Sequence, residues 1–320
     1  MTLTTTASAG RGRGGPPDRL QAVDDALFRR SRSLAAALEP VIGQVYFAPE
    51  CHAAYARLGF APSPGHVGSV ALPDGPAYFT SRGSLLGQVR PGVIAAAFGV
   101  FKPEAVSAGA QLGWSLTDAP TIFAERRAGA VAQLERVLGP ADERVAATSV
   151  PLERAVEVLG VEGRPLFAGL RSWWDDPTDP WTRLFHLGDM LRECRGDAHI
   201  AAWTSEALDA VEIGLLTDLY MGMPFKSYVR TRGWNDEELE AGAERLRSRG
   251  WLDRDEFTDA GRAAREDIER ATDRSMGVAL TVLGDDLEPV IDALKPWGAA
   301  MREAGGYVGG PVDLWPNRDE

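Results

Sequence analysis

The stretch RGWNDEELEAGAERLRSRGWLDRDEFTDAGRA, residues 232–263, carries the densest local signals in the chain. Asn235 is a cap for the helix DEELEAGAERLRSRG, in which Leu239, Ala243 and Leu246 share one face and Gly250 is the stop. WLDRDEFT then reads as a very short two-stranded hairpin, and TDAGRAAREDIERATDRSM as a long amphipathic helix. Upstream, residues 204–221 open with a Thr/Ser cap and run as an apolar helix. FKSYVRTRGW adds a short helix ending at Gly233.

Three short helices, a hairpin and a long helix resemble a winged helix-turn-helix of the MarR type. The residues that carry the likeness are the helix end Leu246–Gly250, the first wing strand Trp251-Leu252, the second at Glu256–Thr258, and the T-x-A-G turn Thr258–Gly261. The likeness covers residues 204–275, about a quarter of the chain. The wider sequence resembles an uncharacterised actinobacterial helix-turn-helix family. That likeness rests on LEPVIGQVYFAPE (38–50), YFTSRGSLLGQV (78–89), LRECRGDAHIAAW (191–203), residues 232–253 and ERATDR (269–274). It implies a helical N-terminal region fused to a winged helix and, by analogy with MarR-like proteins, a homodimer held by long terminal helices. It brings no established activity.

Outward from this segment the chain reads as helix almost everywhere. Residues 20–43 repeat Leu20, Val23, Leu27, Leu34 and Leu38 at helical spacing, with Pro40 able to kink or end the helix. A second helix runs from Pro49 to Leu58. Residues 61–90 are rich in Gly, Pro and Ser and read as loops and turns around GPAYFTSRGSLLG. Helices follow at 91–110, before a Gly-Trp loop, then at 120–138, 141–160, Arg164–Trp174 and Trp181–Arg195. In RGD (195–197) Gly196 reads as a helix end and Asp197 as the next cap. A final helix from about Asp285 to Ala304 is expected to break near Pro289 and Pro296. No strand is evident in the first 200 residues.

The expected fold is therefore mainly α, with a helical N-terminal region and a C-terminal winged helix-turn-helix carrying a short β-hairpin wing. The expected organisation is a disordered, weakly basic tail at 1–17, a helical bundle and ligand-binding region at 18–203, the winged helix at 204–275, and a C-terminal helix and tail at 276–320.

Composition sets outer limits. The chain has 320 residues, of which 44% are apolar and only two are cysteine. That excludes a disulfide scaffold and wholesale disorder, and a reducing cytoplasm is the expected location. No apolar run approaches the ~18 residues of a membrane span. Arginine outnumbers lysine 31 to 3, the mark of a GC-rich genome. The net charge of −12 is unevenly placed. Residues 1–200 hold 20 basic and 21 acidic residues, and residues 201–320 hold 14 and 25.

This asymmetry bears on DNA. A winged helix reads the major groove with the start of its third helix, and phosphate contacts from Lys and Arg supply much of the affinity. Here that helix begins Asp236, Glu237, Glu238 and continues with Glu240 and Glu244. The candidate DNA contacts are Lys226, Arg230 and Arg232 before it and Arg254 in the wing, with Arg11 and Arg13 in the tail. DNA is a possible partner, disfavoured by the acidic third helix.

No HExxH, CxxC, GxGxxG or Walker A pattern is present, so no metal, cofactor or catalytic residue is assigned. His186, Asp189 and Glu193 share one helical face, with His199 beyond. TSRGSLLG (80–87) reads as a loop that presents Arg82 to an anion, or as a capped turn with Arg82 exposed. Aromatic residues cluster in the same region. Arg82, Tyr46, Phe79, His186, Asp189 and His199 are the candidate ligand-binding residues. The function read from the sequence is a MarR-like winged-helix protein that binds, or transforms, a small aromatic or apolar molecule in its helical region and has lost DNA binding. The alternative is a ligand-responsive transcriptional regulator.

Overall fold

A computed structural model of the chain describes residues 18–309. The expected tails, with Arg11 and Arg13, lie outside the described residues.

The chain is mainly helical, in the order α1 (Asp18–Ile42), α2 (Pro49–Arg57), a hairpin of β1 (His66–Val67) and β2 (Val70–Ala71), α3 (Gly75–Gly83), α4 (Pro91–Phe98), α5 (Pro103–Leu116), α6 (Ala119–Leu138), α7 (Glu143–Glu157) and α8 (Pro165–Ser172). Then come α9 (Pro180–Ser205), α10 (Ala210–Tyr220), α11 (Asp236–Ser248), a hairpin of β3 (Leu252–Asp253) and β4 (Glu256–Phe257), α12 (Asp259–Ser275), α13 (Gly277–Leu283) and α14 (Leu287–Glu303). Both hairpins are antiparallel, with Val67 opposite Val70 and Asp253 opposite Glu256.

Helix α9 is the axis. It is buried on nearly every side, from Trp181 to Trp203, and α1, α6, α7, α8 and α12 all pack on it. One core gathers side chains from α1 to α14. A second is built from Trp203, Val211, Ile213, Leu215, Val229, Leu239, Leu246 and Ile268, with Val100 and Ile200 packed at its border.

Several segments depart from the sequence reading, each for a local reason. Gly68, at φ +60°, turns the β1–β2 hairpin within a stretch read as free of strands. Residues 75–83 are helical because Asp74 accepts the Ala77 N–H (3.0 Å) and Pro76 fits the first turn. Gly99, at φ +65°, separates α4 from α5. Gly113 and Trp114 belong to α5 and form no loop: Gly109 and Gly113 let α5 lie directly on Phe79 and Thr80 of α3. Pro40 stays inside α1, its ring lying against Gly298 of α14, and α14 itself runs through Pro296 unbroken. Residues 225–234 supply only the 3₁₀ turn Val229–Arg232.

The largest departure is at RGD. Helix α9 continues through Gly196 to Ser205, across the expected break and across residue 203. Asp197 does cap a helix, but a distant one: its carboxylate accepts the Phe167 N–H at the start of α8 (3.0 Å). The cap of α10 is Asp209, in a reciprocal box with Glu212, and Thr204 and Ser205 lie in the last turn of α9.

The second hairpin is pinned to α12 at the T-x-A-G turn. Thr258 caps α12 by accepting the Gly261 N–H (3.0 Å), and the Thr258 N–H donates to the Trp251 carbonyl (3.0 Å). A Cβ at Gly261 would fall inside the van der Waals shell of that carbonyl oxygen. We expect Gly261→Ala to destabilise the fold by about 1–3 kcal/mol, as overpacking does. Gly92→Ala, on an open face of α4, is expected to leave chemical denaturation unchanged or slightly improved.

Candidate functional site

Three buried or partly buried ion pairs gather round Tyr46, where α1, α3, α6 and α9 meet. Arg126 of α6 donates to Asp189 (2.7 Å), and both side chains are 1% exposed. Arg82, in the last turn of α3, grips Glu193 with two hydrogen bonds (3.1 and 2.7 Å). Arg192 grips Glu39 of α1 in the same way (2.8 and 3.0 Å) and reaches Glu193 at 2.9 Å. The Arg126 and Arg192 guanidinium groups lie over the Tyr46 ring, and its hydroxyl lies 3.4 Å from Glu193.

The electrostatics follow from this geometry. Burial alone would raise the Glu193 carboxyl, but Arg82 and Arg192 outweigh it and hold it down at about 2. Burial pushes the Tyr46 phenol up, so it stays neutral. The cluster is a set of paired charges, in which Arg126 Nε and one Asp189 oxygen are buried without a hydrogen-bond partner.

The candidate ligand residues therefore occupy different settings. Tyr46, Arg82 and Asp189 come together in the ion-pair cluster. Phe79 lies in an adjoining aromatic group with Tyr78, Phe98 and Phe101, and Arg82 stacks on Phe98 at 4.6 Å. Arg82 sits on a helix, with its guanidinium committed to Glu193. His186 is apart from these: it bonds the Leu170 carbonyl (3.0 Å), lies edge-on to Trp174, and is held below its usual pKa by burial. His186, Asp189 and Glu193 share a face of α9 but each has a separate partner. His199 lies further along α9, bonded to Thr272 of α12 (3.1 Å). Two surface grooves, of about 740 and 390 Å³, lie between α10 and α11 and between α6 and α9, away from the cluster.

Sequence reasoning missed Arg126, Glu39 and Arg192. Arg126 had a signal: with Ile122, Ala130 and Gln133 it lies on the buried stripe of α6, where an arginine demands a buried partner. Glu39 and Arg192 gave none, because their pairing joins helices 153 positions apart.

The α10–α12 segment is fastened to the bundle at two places. At the first, Arg195 of α9 pairs with Glu269 and Asp273 of α12, Arg32 of α1 takes Asp273 and Glu266, and Arg265 takes Glu269. His199 sits inside this network. Burial, aided by Arg265, pushes its imidazole down to about 3. At the second, the α4–α5 connection meets the entry to α11. The Lys102 N–H donates to the Arg232 carbonyl (2.9 Å), Trp234 Nε1 to the Val100 carbonyl (3.1 Å), and Lys102 Nζ to Glu238 (2.5 Å).

Between α10 and α11 the chain turns on Asp218, a fully buried carboxylate that accepts the N–H groups of Tyr228 (3.1 Å) and Val229 (3.3 Å). Asn235 and Glu238 close a reciprocal cap on α11. The chain belongs to a helix-turn-helix family. The match spans residues 31–308, so it takes in the bundle together with the α10–α12 segment. No curated protein and no solved structure matches the chain.

The α10–α12 segment and its hairpin place the four candidate DNA contacts as follows. Lys226 pairs with Glu240 (2.5 Å), and Arg230 with Asp236. Arg232 turns inward, over the rings of Phe101 and Tyr228. Arg254 is exposed at the hairpin turn, at φ +53°. Further along α11, Arg247 is taken by Glu240, Glu244 and Asp255.

Two outcomes follow. Arg126→Met strands a buried Asp189 and is expected to cost about 3–5 kcal/mol, part of which Asp189→Asn restores in the double variant. The lowered His199 pKa means the folded state takes up fewer protons than the unfolded chain below pH 6.5. Its contribution is full above that pH and is lost as the pH falls toward 3. His199→Gln should recover about 1–2 kcal/mol of the stability lost between pH 7 and pH 5, read from urea melts.

Proposed function

We propose that the α10–α12 segment is a winged helix of the MarR type that has ceased to read DNA, and that the helical body to which it is fixed binds a small aromatic or apolar molecule. The observation that carries this reading is the pairing of the cations round α11. Lys226, Arg230 and Arg247 would meet phosphates in a DNA-binding winged helix. Each is instead held by a carboxylate of α11 or of the neighbouring hairpin. Exposed pairs of this kind are weak and could open. Opening them would leave Asp236, Glu237, Glu240 and Glu244 facing the phosphates, and no net counterion release would repay that repulsion.

The docking of α11 supports the same reading. Glu238 sits in the first turn, the part that would enter the groove, and it is tied to Lys102 of the bundle. The second reading, a ligand-responsive DNA-binding regulator, draws on family membership and on the exposed Arg254.

Fluorescence anisotropy with a labelled random duplex separates the two. At about 50 mM salt we expect no binding with protein at about 10 μM. Binding that appears there and weakens steeply by about 200 mM would establish the regulator and refute the loss of DNA binding.

A further inference from the structure

Arg232 is the cation whose placement the fold leaves unexplained. It ends the 3₁₀ turn before α11, and its guanidinium lies 4.0 Å from the Tyr228 ring centroid and 4.5 Å from that of Phe101. The first ring belongs to the helix-turn-helix segment and the second to the bundle. Among the described residues no carboxylate lies within ion-pair distance of it, and its Nε is buried with no hydrogen-bond partner.

The neighbouring carboxylates are already committed. Glu39 lies within electrostatic reach of the Tyr228 hydroxyl, but it accepts two hydrogen bonds from Arg192 and one from Tyr307. Glu193 is filled by Arg82 and Arg192. Round Tyr46, Arg82, Arg126 and Arg192 are thus paired with Glu193, Asp189 and Glu39, and Arg232 has no carboxylate of its own among the described residues. A half-buried charge without a counter-ion is costly, and a bound anion removes that cost. One charge calls for a monoanion.

The surroundings define the rest of the occupant. Tyr78 stands 5.5 Å from Phe101 and within electrostatic reach of Tyr228, and both tyrosines are only partly buried. A guanidinium flanked by partly accessible rings suits a carboxylate carried on a flat apolar body, because the fork bonds both oxygens while the body lies on the rings.

We propose that Arg232, with Tyr78 and Tyr228, forms a binding site for a small organic monocarboxylate at the junction of the bundle and the helix-turn-helix segment. This rests on the reading of the protein as a small-molecule binder and moves the site from the Tyr46 cluster to its outer edge. Because Tyr228 and Arg232 lead directly into α11, an occupant there bridges the two parts of the chain.

Calorimetric titration of the full chain with benzoate, benzamide and benzyl alcohol tests this. Benzoate is expected to bind at least about tenfold tighter than either neutral probe. Arg232→Met, which keeps the stacking bulk, should erase that preference with thermal melting little changed, and Arg232→Lys should keep part of it. Equal binding of all three probes, or a benzoate preference that survives Arg232→Met, overturns the Arg232 site and leaves the small-molecule reading standing. Neutral probes that bind while benzoate does not would have the same meaning. Failure of all three at about 10 mM overturns both.

Discussion

Helix α9 carries Asp189, Glu193 and Asp197 into the interior, and the need to satisfy those carboxylates governs what packs round it. Asp189 requires Arg126 of α6, Glu193 requires Arg82 of α3, and Asp197 takes the first N–H groups of α8. Each partner comes from a different element, so meeting the charges sets the mutual placement of α3, α6 and α8. Buried ion pairs add little net stability compared with apolar packing, but a missing partner is expensive. We read the cluster round Tyr46 as a device that excludes alternative packings of an alanine-rich bundle.

The same helix joins the bundle to the α10–α12 segment. Its last turns pass through the expected domain boundary, and Arg195 and His199 meet α12 there. Arg32 of α1 reaches the same acids from the other side. With the second attachment at Lys102, the entry to α11 is held at a fixed position on the bundle. On the proposed reading α11 would be the reading helix, and it is acidic at its start and anchored there.

Much of the fold was legible in local sequence. Asn235 and the glycines at 233 and 250 marked helix ends correctly, because caps and positive-φ positions act over a few residues. RGD misled for the complementary reason. Gly196 and Asp197 carry a stop-and-cap signal, but burial of the surrounding face outweighs one glycine's modest helix penalty, and the Asp197 carboxylate caps a helix 30 residues away. The stretch at 75–83 was lost among its glycines and prolines, although Asp74 and Pro76 begin a helix there in the ordinary way.

The candidate site divides along the same line. Sequence alone determined the helical class, the acidic start of α11 and the presence of arginines and rings in the N-terminal half, since composition and period need no knowledge of distant partners. Only the tertiary structure decided which charges cancel. Arg82 reads as free until Glu193 is found against it, and Lys226 and Arg230 read as phosphate contacts until α11 supplies their carboxylates. Arg232 moves the other way: it counted among the DNA contacts, and the fold turns it inward onto Phe101 without a counter-ion. Coulomb energies depend on separation and burial, and both are set by contacts between residues up to 268 positions apart in the chain.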